Sequence, residues 1–262
     1  MYHFFVLKEQ IRPHEIIITG GDVNHIRSVL RMKPGEKIGI SDGEEKEYCC
    51  EIVHIAGDQV RARILSEEKD SRELPARLYL FQGLPKSDKM ELIIQKAVEL
   101  GVYQVIPVVT RRTIVKLDSK KEEARIKRWN TIAESAAKQS GRGIIPQVTE
   151  VMTFDKALAL AETFQVKIIP FEHAVGMADT KRELERIRPG TDAGFFIGPE
   201  GGFEEEEIVR AEGAGVKAVS LGRRILRTET AGLMVLSVAG YLLETERENI
   251  CCCSGRSAHL LH

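Results

Sequence analysis

From residue 78 onward, short apolar runs suited to strands alternate with segments of helical periodicity, and this rhythm limits the fold more than any other feature. The strand-like runs are 78–81, 102–109, 166–171, 194–198 and 216–221. Between the first two, Met90, Ile93, Ile94, Ala97 and Val98 recur at the spacing of one helix face. Ser87 or Asp88 offers a cap for that helix, and Gly101 a stop. A second helix gathers Ile126, Trp129, Ile132, Ala133, Ala136 and Ala137 on one side. Such alternation predicts an α/β domain with a mostly parallel sheet covered by helices on both faces.

The first 72 residues read differently. Strand-like runs at 4–6, 16–18, 38–40, 48–55 and 60–65 are separated by turn signals, with Asp42-Gly43 and Gly57-Asp58 as hairpin turns. The pattern is that of a small β-barrel. One short helix interrupts it, with Asp22 placed to cap and Val23, Ile26, Val29 and Leu30 on one face. A polar stretch at 66–73 precedes Pro75 and reads as a linker. The expected domains are therefore 1–72 and 73–246, with 247–262 as a disordered tail. A chain of 262 residues is long enough for two cores.

Charge and cysteine usage narrow the function classes. The formal net charge is -1, so any nucleic-acid contact must be a local patch. Residues 84–145 carry 13 Lys and Arg against 7 Asp and Glu, whereas residues 1–75 carry 11 against 14. Arg111, Arg112, Lys116, Arg128, Lys138 and Arg142 are candidate phosphate contacts in that basic middle. Over 120–128 an ordinary solvated helix face is the plainer reading. The longest apolar run, 231–243, is too short for a bilayer, so no membrane partner is expected. Five cysteines in two adjacent clusters make no disulfide framework, which favours the cytoplasm. No Cys-x-x-Cys and no helical histidine pair suggests a metal.

Two segments carry chemistry. Residues 195–203 run from an apolar strand into Gly198-Pro199-Glu200-Gly201-Gly202, and Glu204 to Glu207 then open a helix. The glycines permit close backbone approach to a ligand, and the acids suit a helix N-terminus but repel phosphate. A tight strand-to-helix turn without a ligand explains the same residues about as well. Residues 221–231 follow a strand and hold Arg223, Arg224 and Arg227 beside Gly222, a pattern suited to anion contacts. A solvated charge cluster is the alternative there. In open α/β sheets ligands sit at strand carboxyl ends, where Phe171-Glu172-His173, 198–202 and 221–225 all fall. The helix over 231–243 is apolar almost all round and calls for burial in a core or subunit interface.

With these segments in view, residues 1–245 resemble the RsmE family of the SPOUT superfamily, which methylates N3 of a uridine in small-subunit ribosomal RNA. The resemblance rests on His25 to Arg31, Leu84-Pro85-Lys86, Gln95 to Val102, Gln139 to Arg142, Gly198 to Phe203 and Leu221 to Ala231. The last two together are highly specific. Three positions depart from the family's common residues: His3, Arg111 and Lys138. The resemblance implies an N-terminal PUA-like barrel for RNA and a C-terminal SPOUT domain whose chain end forms a trefoil knot. It also implies a homodimer and S-adenosylmethionine as methyl donor, without a metal.

Carried onto this sequence, the donor site would comprise Phe171, Glu172, Gly198, Pro199, Gly202, Leu221, Gly222, Ile225, Leu226 and Thr230. Leu221, Ile225 and Leu226 suit an adenine slot. Arg227 and Arg224 are candidates to stabilise charge on the uracil oxygens. Glu229 or Glu200 is the candidate proton acceptor. Arg31, Lys86, Arg112, Lys116 and Arg142 are the expected RNA contacts. Two other readings compete: a related SPOUT enzyme acting on transfer RNA, and a catalytically silent RNA-binding assembly factor. The complete Arg-Ile-Leu-Arg-Thr-Glu-Thr segment at 224–230 argues against the second, because binding alone needs no donor pocket.

Overall fold

A computed structural model describes residues 1–44, 46–68, 72–114 and 119–254. The chain divides into two compact units: Met1–Glu73 with Glu134–Ile145, and Leu74–Ala133 with the chain from Pro146 onward.

In the first unit, the expected runs become β1 (Tyr2–Phe5), β2 (Glu15–Thr19), β3 (Lys37–Ser41), β4 (Glu47–Ile55) and β5 (Gln59–Glu68). They form one mixed sheet in the order β1-β3-β4-β5-β2, with β1 parallel to β3 and the other pairs antiparallel. Register shifts at Cys49/Cys50 and at Ile52/His54 add bulges, which bend a strand and increase its twist. Phe4, Ile16, Ile18, Ile38, Ile40 and Ile52 fill the core of this curled sheet. Both expected hairpin turns, at Asp42-Gly43 and Gly57-Asp58, fall between paired antiparallel strands.

The short helix corrects two expectations. α1 (Gly21–Asn24) runs into a π-helical turn over His25–Val29, closed by Leu30 N–H donating to His25 O at 2.9 Å. Val23 and Ile26 are buried as expected, but the wide turn shifts the register and leaves Val29 62% exposed. Asp22 does not cap. Gly20 stands at the cap position, and the Asp22 carboxylate accepts from Lys138 at 2.9 and 3.1 Å.

Residues 134–145 complete this unit from far along the chain. Ser41 Oγ donates to Gly143 O at 2.5 Å. Arg142 forks onto Glu73, with Nε 2.8 Å from Oε1 and a terminal nitrogen 2.5 Å from Oε2. Glu73 also accepts from Gly143 N–H at 2.9 Å.

His3 in β1 is buried at 7% exposure, and burial, aided by the nearby Arg72 charge, lowers its pKa from 6.5 to about 4. The unfolded chain therefore takes up a proton first as the pH falls. Stability attributable to neutral His3 is complete above about pH 6.5 and is lost as the pH falls toward 4. The loss should reach up to about 3 kcal/mol. Denaturant melts at several pH values should show a flatter acid limb for His3→Phe than for the wild type. Parallel limbs would remove His3 from the acid response.

In the second unit, the expected strands appear as β6 (Arg77–Gly83), β7 (Gln104–Val109), β10 (Val166–Pro170), β11 (Asp192–Ile197) and β12 (Lys217–Val219). Two short additions, β8 (Gln147–Val148) and β9 (Met152–Thr153), pair with β7. The sheet is parallel throughout, in the order β12-β10-β11-β6-β7-β8. Its helices are α2 (Lys89–Glu99), α3 (Ser119–Ser140), α4 (Phe154–Leu160), α5 (Ala178–Leu184), α6 (Glu205–Gly213) and α7 (Thr228–Ser254). The five apolar residues that defined the α2 face are its buried residues. Phe81 and Phe196 stack between β6 and β11 with centroids 4.3 Å apart.

α7 overturns part of the expected tail. It continues through Ser254, so 247–254 are helical, and 255–262 lie outside the described residues. After Gly240 the sequence holds no glycine or proline until Gly255, so nothing local stops the helix. Val235, Leu236, Ala239 and Leu243 are buried within the chain, whereas Tyr241 is 70% exposed. Among the described residues no helix is long and apolar enough to cross a membrane.

Candidate active site

β12, β10 and β11 are neighbours in the sheet, so the loops leaving their carboxyl ends emerge side by side. β6 flanks β11 and adds the loop before α2. These loops enclose an open cleft of about 560 Å³. Phe171, Glu172, Gly198, Pro199, Glu200, Gly202, Leu221, Gly222, Arg224, Ile225, Leu226 and Arg227 line it. Of the expected catalytic and donor residues, Glu229 and Thr230 do not. Leu221, Ile225 and Leu226 all line the cleft, Ile225 at 94% exposure and the two leucines half-buried.

The glycine loop is a turn closed by Gly202 N–H donating to Pro199 O at 2.9 Å, with Gly202 at φ +70°. It presses against the end of β6, where a Cβ added to Gly83 would lie 2.6 Å from the Pro199 ring. Thr228, not Thr230, is the working threonine of the last segment. Its buried hydroxyl donates to Gly198 O at 2.6 Å and accepts from Gln82 Nε2 at 2.8 Å. Sequence reasoning missed Gln82, Thr228 and Lys89. Only the Leu84-Pro85-Lys86 motif pointed near the last.

Three of the four acids after the loop, Glu204, Glu206 and Glu207, have partners that the sequence did not suggest. Glu204 and Glu207 form a reciprocal cap at the start of α6. Glu207 also accepts from Arg111 N–H at 3.0 Å, and the Arg111 side chain reaches Glu206 at 2.5 Å. Arg112 braces the glycine loop. It donates to Gly201 O at 2.6 Å and to both Glu204 oxygens, at 2.8 and 3.2 Å. Its guanidinium holds the Glu204 carboxyl below the usual range.

The two expected proton acceptors differ. Burial acts to raise the Glu200 pKa, but hydrogen bonds from Lys89 and from backbone N–H groups outweigh it, and the net shift is downward. Its oxygens take Lys86 N–H at 3.1 and 3.2 Å and the Lys89 ammonium at 3.0 Å. Glu200 is thus a committed carboxylate and a weak base. Glu229 Oε2 is buried without a hydrogen-bond partner, 3.5 Å from Lys89 Nζ.

Residues 72–240 match the family model for an RNA methyltransferase domain, and residues 18–65 match that for an RNA methyltransferase PUA domain. Ribosomal RNA small subunit methyltransferase E of Bacillus subtilis is 36% identical over 229 residues, covering 86% of this chain and 90% of that protein. The chain belongs to the small-subunit ribosomal RNA methyltransferase E family. The Mesomycoplasma hyopneumoniae member is 33% identical, covering 86% of this chain and 93% of that protein. The crystal structure of the Neisseria gonorrhoeae member bound to S-adenosyl methionine superposes with a TM-score of 0.79 at 33% identity, covering 92% of this chain and 98% of that one.

Within this member of the family, the expected RNA contacts separate. Arg142 is 5% exposed and committed to Glu73, so it is a structural residue and not a phosphate contact. Arg112 is committed to the glycine loop. Arg111, Arg128 and Lys138 likewise pair with Glu206, Glu91 and Asp22. Of these candidates, Arg111, Arg112, Lys138 and Arg142 pair with acids from outside 84–145, which a count along the sequence cannot show, whereas Arg128 pairs with Glu91 inside it. Lys116 lies outside the described residues. Arg31 is exposed at φ +53°, and the Lys86 side chain is exposed. Arg223, Arg224 and Arg227 line the cleft, and among the described residues no carboxylate pairs with them.

Proposed function

We propose that this chain methylates N3 of a uridine in small-subunit ribosomal RNA with S-adenosylmethionine as donor, in the cytoplasm and as a homodimer. The observation that carries the reading is a glycine-turned cleft bordered by three arginines that have no acidic partner among the described residues. The cleft volume suits a nucleoside-sized group. At Gly202 and Gly222 a Cβ would meet no atom within 4 Å, which leaves space for a ligand against the backbone. When bound, S-adenosylmethionine supplies a methyl group whose bond to sulfur breaks, leaving that electron pair on sulfur, as the N3 pair bonds carbon. The site residues align the partners, which is chiefly a matter of proximity and orientation. Arg224 and Arg227 offer positive charge to the uracil oxygens. The bonds of Thr228 to Gln82 and Gly198 tie the start of α7 to β6 and to the loop after β11.

Labelled donor and small-subunit RNA from a strain lacking the enzyme provide the test. The label should appear as N3-methyluridine after digestion. Label on a ribose or another base, or on transfer RNA alone, would overturn the reading.

Arg112→Ala should weaken donor binding roughly tenfold in calorimetry, because the glycine loop loses its brace. The salt slope of RNA binding should not change, since a paired guanidinium releases no counterion. A flattened slope with intact donor affinity would return Arg112 to the phosphate surface.

An apolar groove between α5 and α7, lined by Met177, Leu184, Met234, Val238 and Leu242, supports the homodimer. Val238 is half-buried, whereas Val235 is 1% exposed within the chain, so Val235 tests folding and Val238 tests assembly. Val238→Asp should convert a dimer to a folded monomer by light scattering. A dimer that survives the change would move the interface elsewhere.

A further inference from the structure

Lys89 opens α2 and lines the cleft with its side chain 31% exposed. Two carboxylates face its ammonium, Glu200 of the glycine loop at 3.0 Å and Glu229 of the first turn of α7 at 3.5 Å. Ser87, two residues earlier, sits at φ +57°, a costly conformation for a residue with a Cβ. The loop it shapes turns Lys86 N–H onto Glu200, which fixes that carboxylate against the start of α2. Glu229 does not line the cleft, and its Oε2 is buried. Of the three charged groups, Glu200 is committed and Glu229 stands behind. Lys89 has a proton to offer a bound base, since an ammonium has three and the contacts to Glu200 and Glu229 engage at most two.

The chemistry favours a cation here. Uracil N3–H ionises only above neutral pH, and N3 attacks as the anion. In that ionisation the N3–H bond breaks, the proton passes to solvent, and the electron pair spreads from N3 onto the two carbonyl oxygens. A bare carboxylate beside that anion would repel it, whereas an ammonium would stabilise it. We infer that Lys89 is a catalytic residue that donates from its ammonium to a carbonyl oxygen of the target uracil, with Glu200 and Glu229 as its positioning residues. The inference rests on the uridine N3 reading above. The Glu200 hydrogen bond raises the Lys89 pKa, which keeps the group a donor.

Lys89→Met and Lys89→Arg test it, with turnover measured on a ribosomal RNA fragment across the neutral to alkaline range and donor affinity by calorimetry. Lys89→Met should lower kcat about 100-fold near neutrality, and the deficit should shrink as alkali ionises N3 without help. Donor affinity should stay within about twofold. Lys89→Arg should recover most of the rate, because it keeps the charge. A deficit equal at every pH, a matching loss of donor affinity, or no deficit would overturn the assignment. Should Lys89→Met melt early, Lys89→Gln supplies the same comparison at similar length. A wild type that leaves N3 unmethylated defeats the functional reading itself. A pH-independent deficit in an active enzyme defeats only the role of Lys89.

Discussion

Gly202→Val is expected to lower donor affinity by at least about 100-fold while the protein remains folded. The cause is not crowding, since a Cβ at this position would meet no atom within 4 Å. It is the backbone. Gly202 holds φ +70° to close the turn onto Pro199 O, a conformation that a β-branched residue adopts only with strain. The variant must open the turn or project its methyl groups into the cleft, and either outcome removes the surface the donor needs. Gly202→Ala should fall between the two. Calorimetry with S-adenosylmethionine, paired with a melting curve, separates the site defect from unfolding. Full affinity in folded Gly202→Val would remove the glycine turn from the donor pocket.

Arg142→Ala should be among the most destabilising single changes in the first unit, at about 3 kcal/mol. The guanidinium is 5% exposed and forks onto Glu73. Removing it leaves a carboxylate that has lost its guanidinium and keeps the backbone donors of Gly143 and Ile144, at 2.9 and 3.4 Å. Arg142→Lys should recover only part of the loss, because one ammonium cannot reproduce a planar fork. Denaturant midpoints measure the effect. The salt slope of RNA binding should match the wild type, in contrast to what the local charge count suggested. An unchanged midpoint would mean that the ion pair contributes nothing net.

The particular residues show where sequence reasoning carries and where it stops. The α2 face, the five long strands of the second unit and the hairpin turns of the first follow from periodicity, because they obey local rules of burial. The π-helical turn at His25–Val29 does not, since one wide hydrogen bond rotates Val29 outward without changing its apolar character. The cleft was legible because strand carboxyl ends gather ligands in parallel sheets, and the two glycine-bearing segments are distinctive. The roles of charged residues were not. Arg112 and Arg142 look alike in sequence, yet one braces a loop through Gly201 and the other is sealed against Glu73. Lys89 escaped notice because its partners, Glu200 and Glu229, lie more than a hundred residues away. Pairing across the fold decides which charges remain available, and no window along the chain contains that information.

The return of residues 134–145 to the N-terminal unit has a consequence for synthesis and for fragment design. As the chain leaves the ribosome, the first 73 residues emerge without Arg142, Gly143 and Lys138, the partners of Glu73, Ser41 and Asp22. The first unit cannot be sealed until the sixty residues 74–133 of the second unit, and then 134–145, have followed. A fragment cut at the apparent linker would present that unsealed surface permanently. Gene fusions that transplant the module as a cassette would therefore need to carry the 134–145 segment with it, which makes the two units inseparable as heritable parts although each has its own sheet.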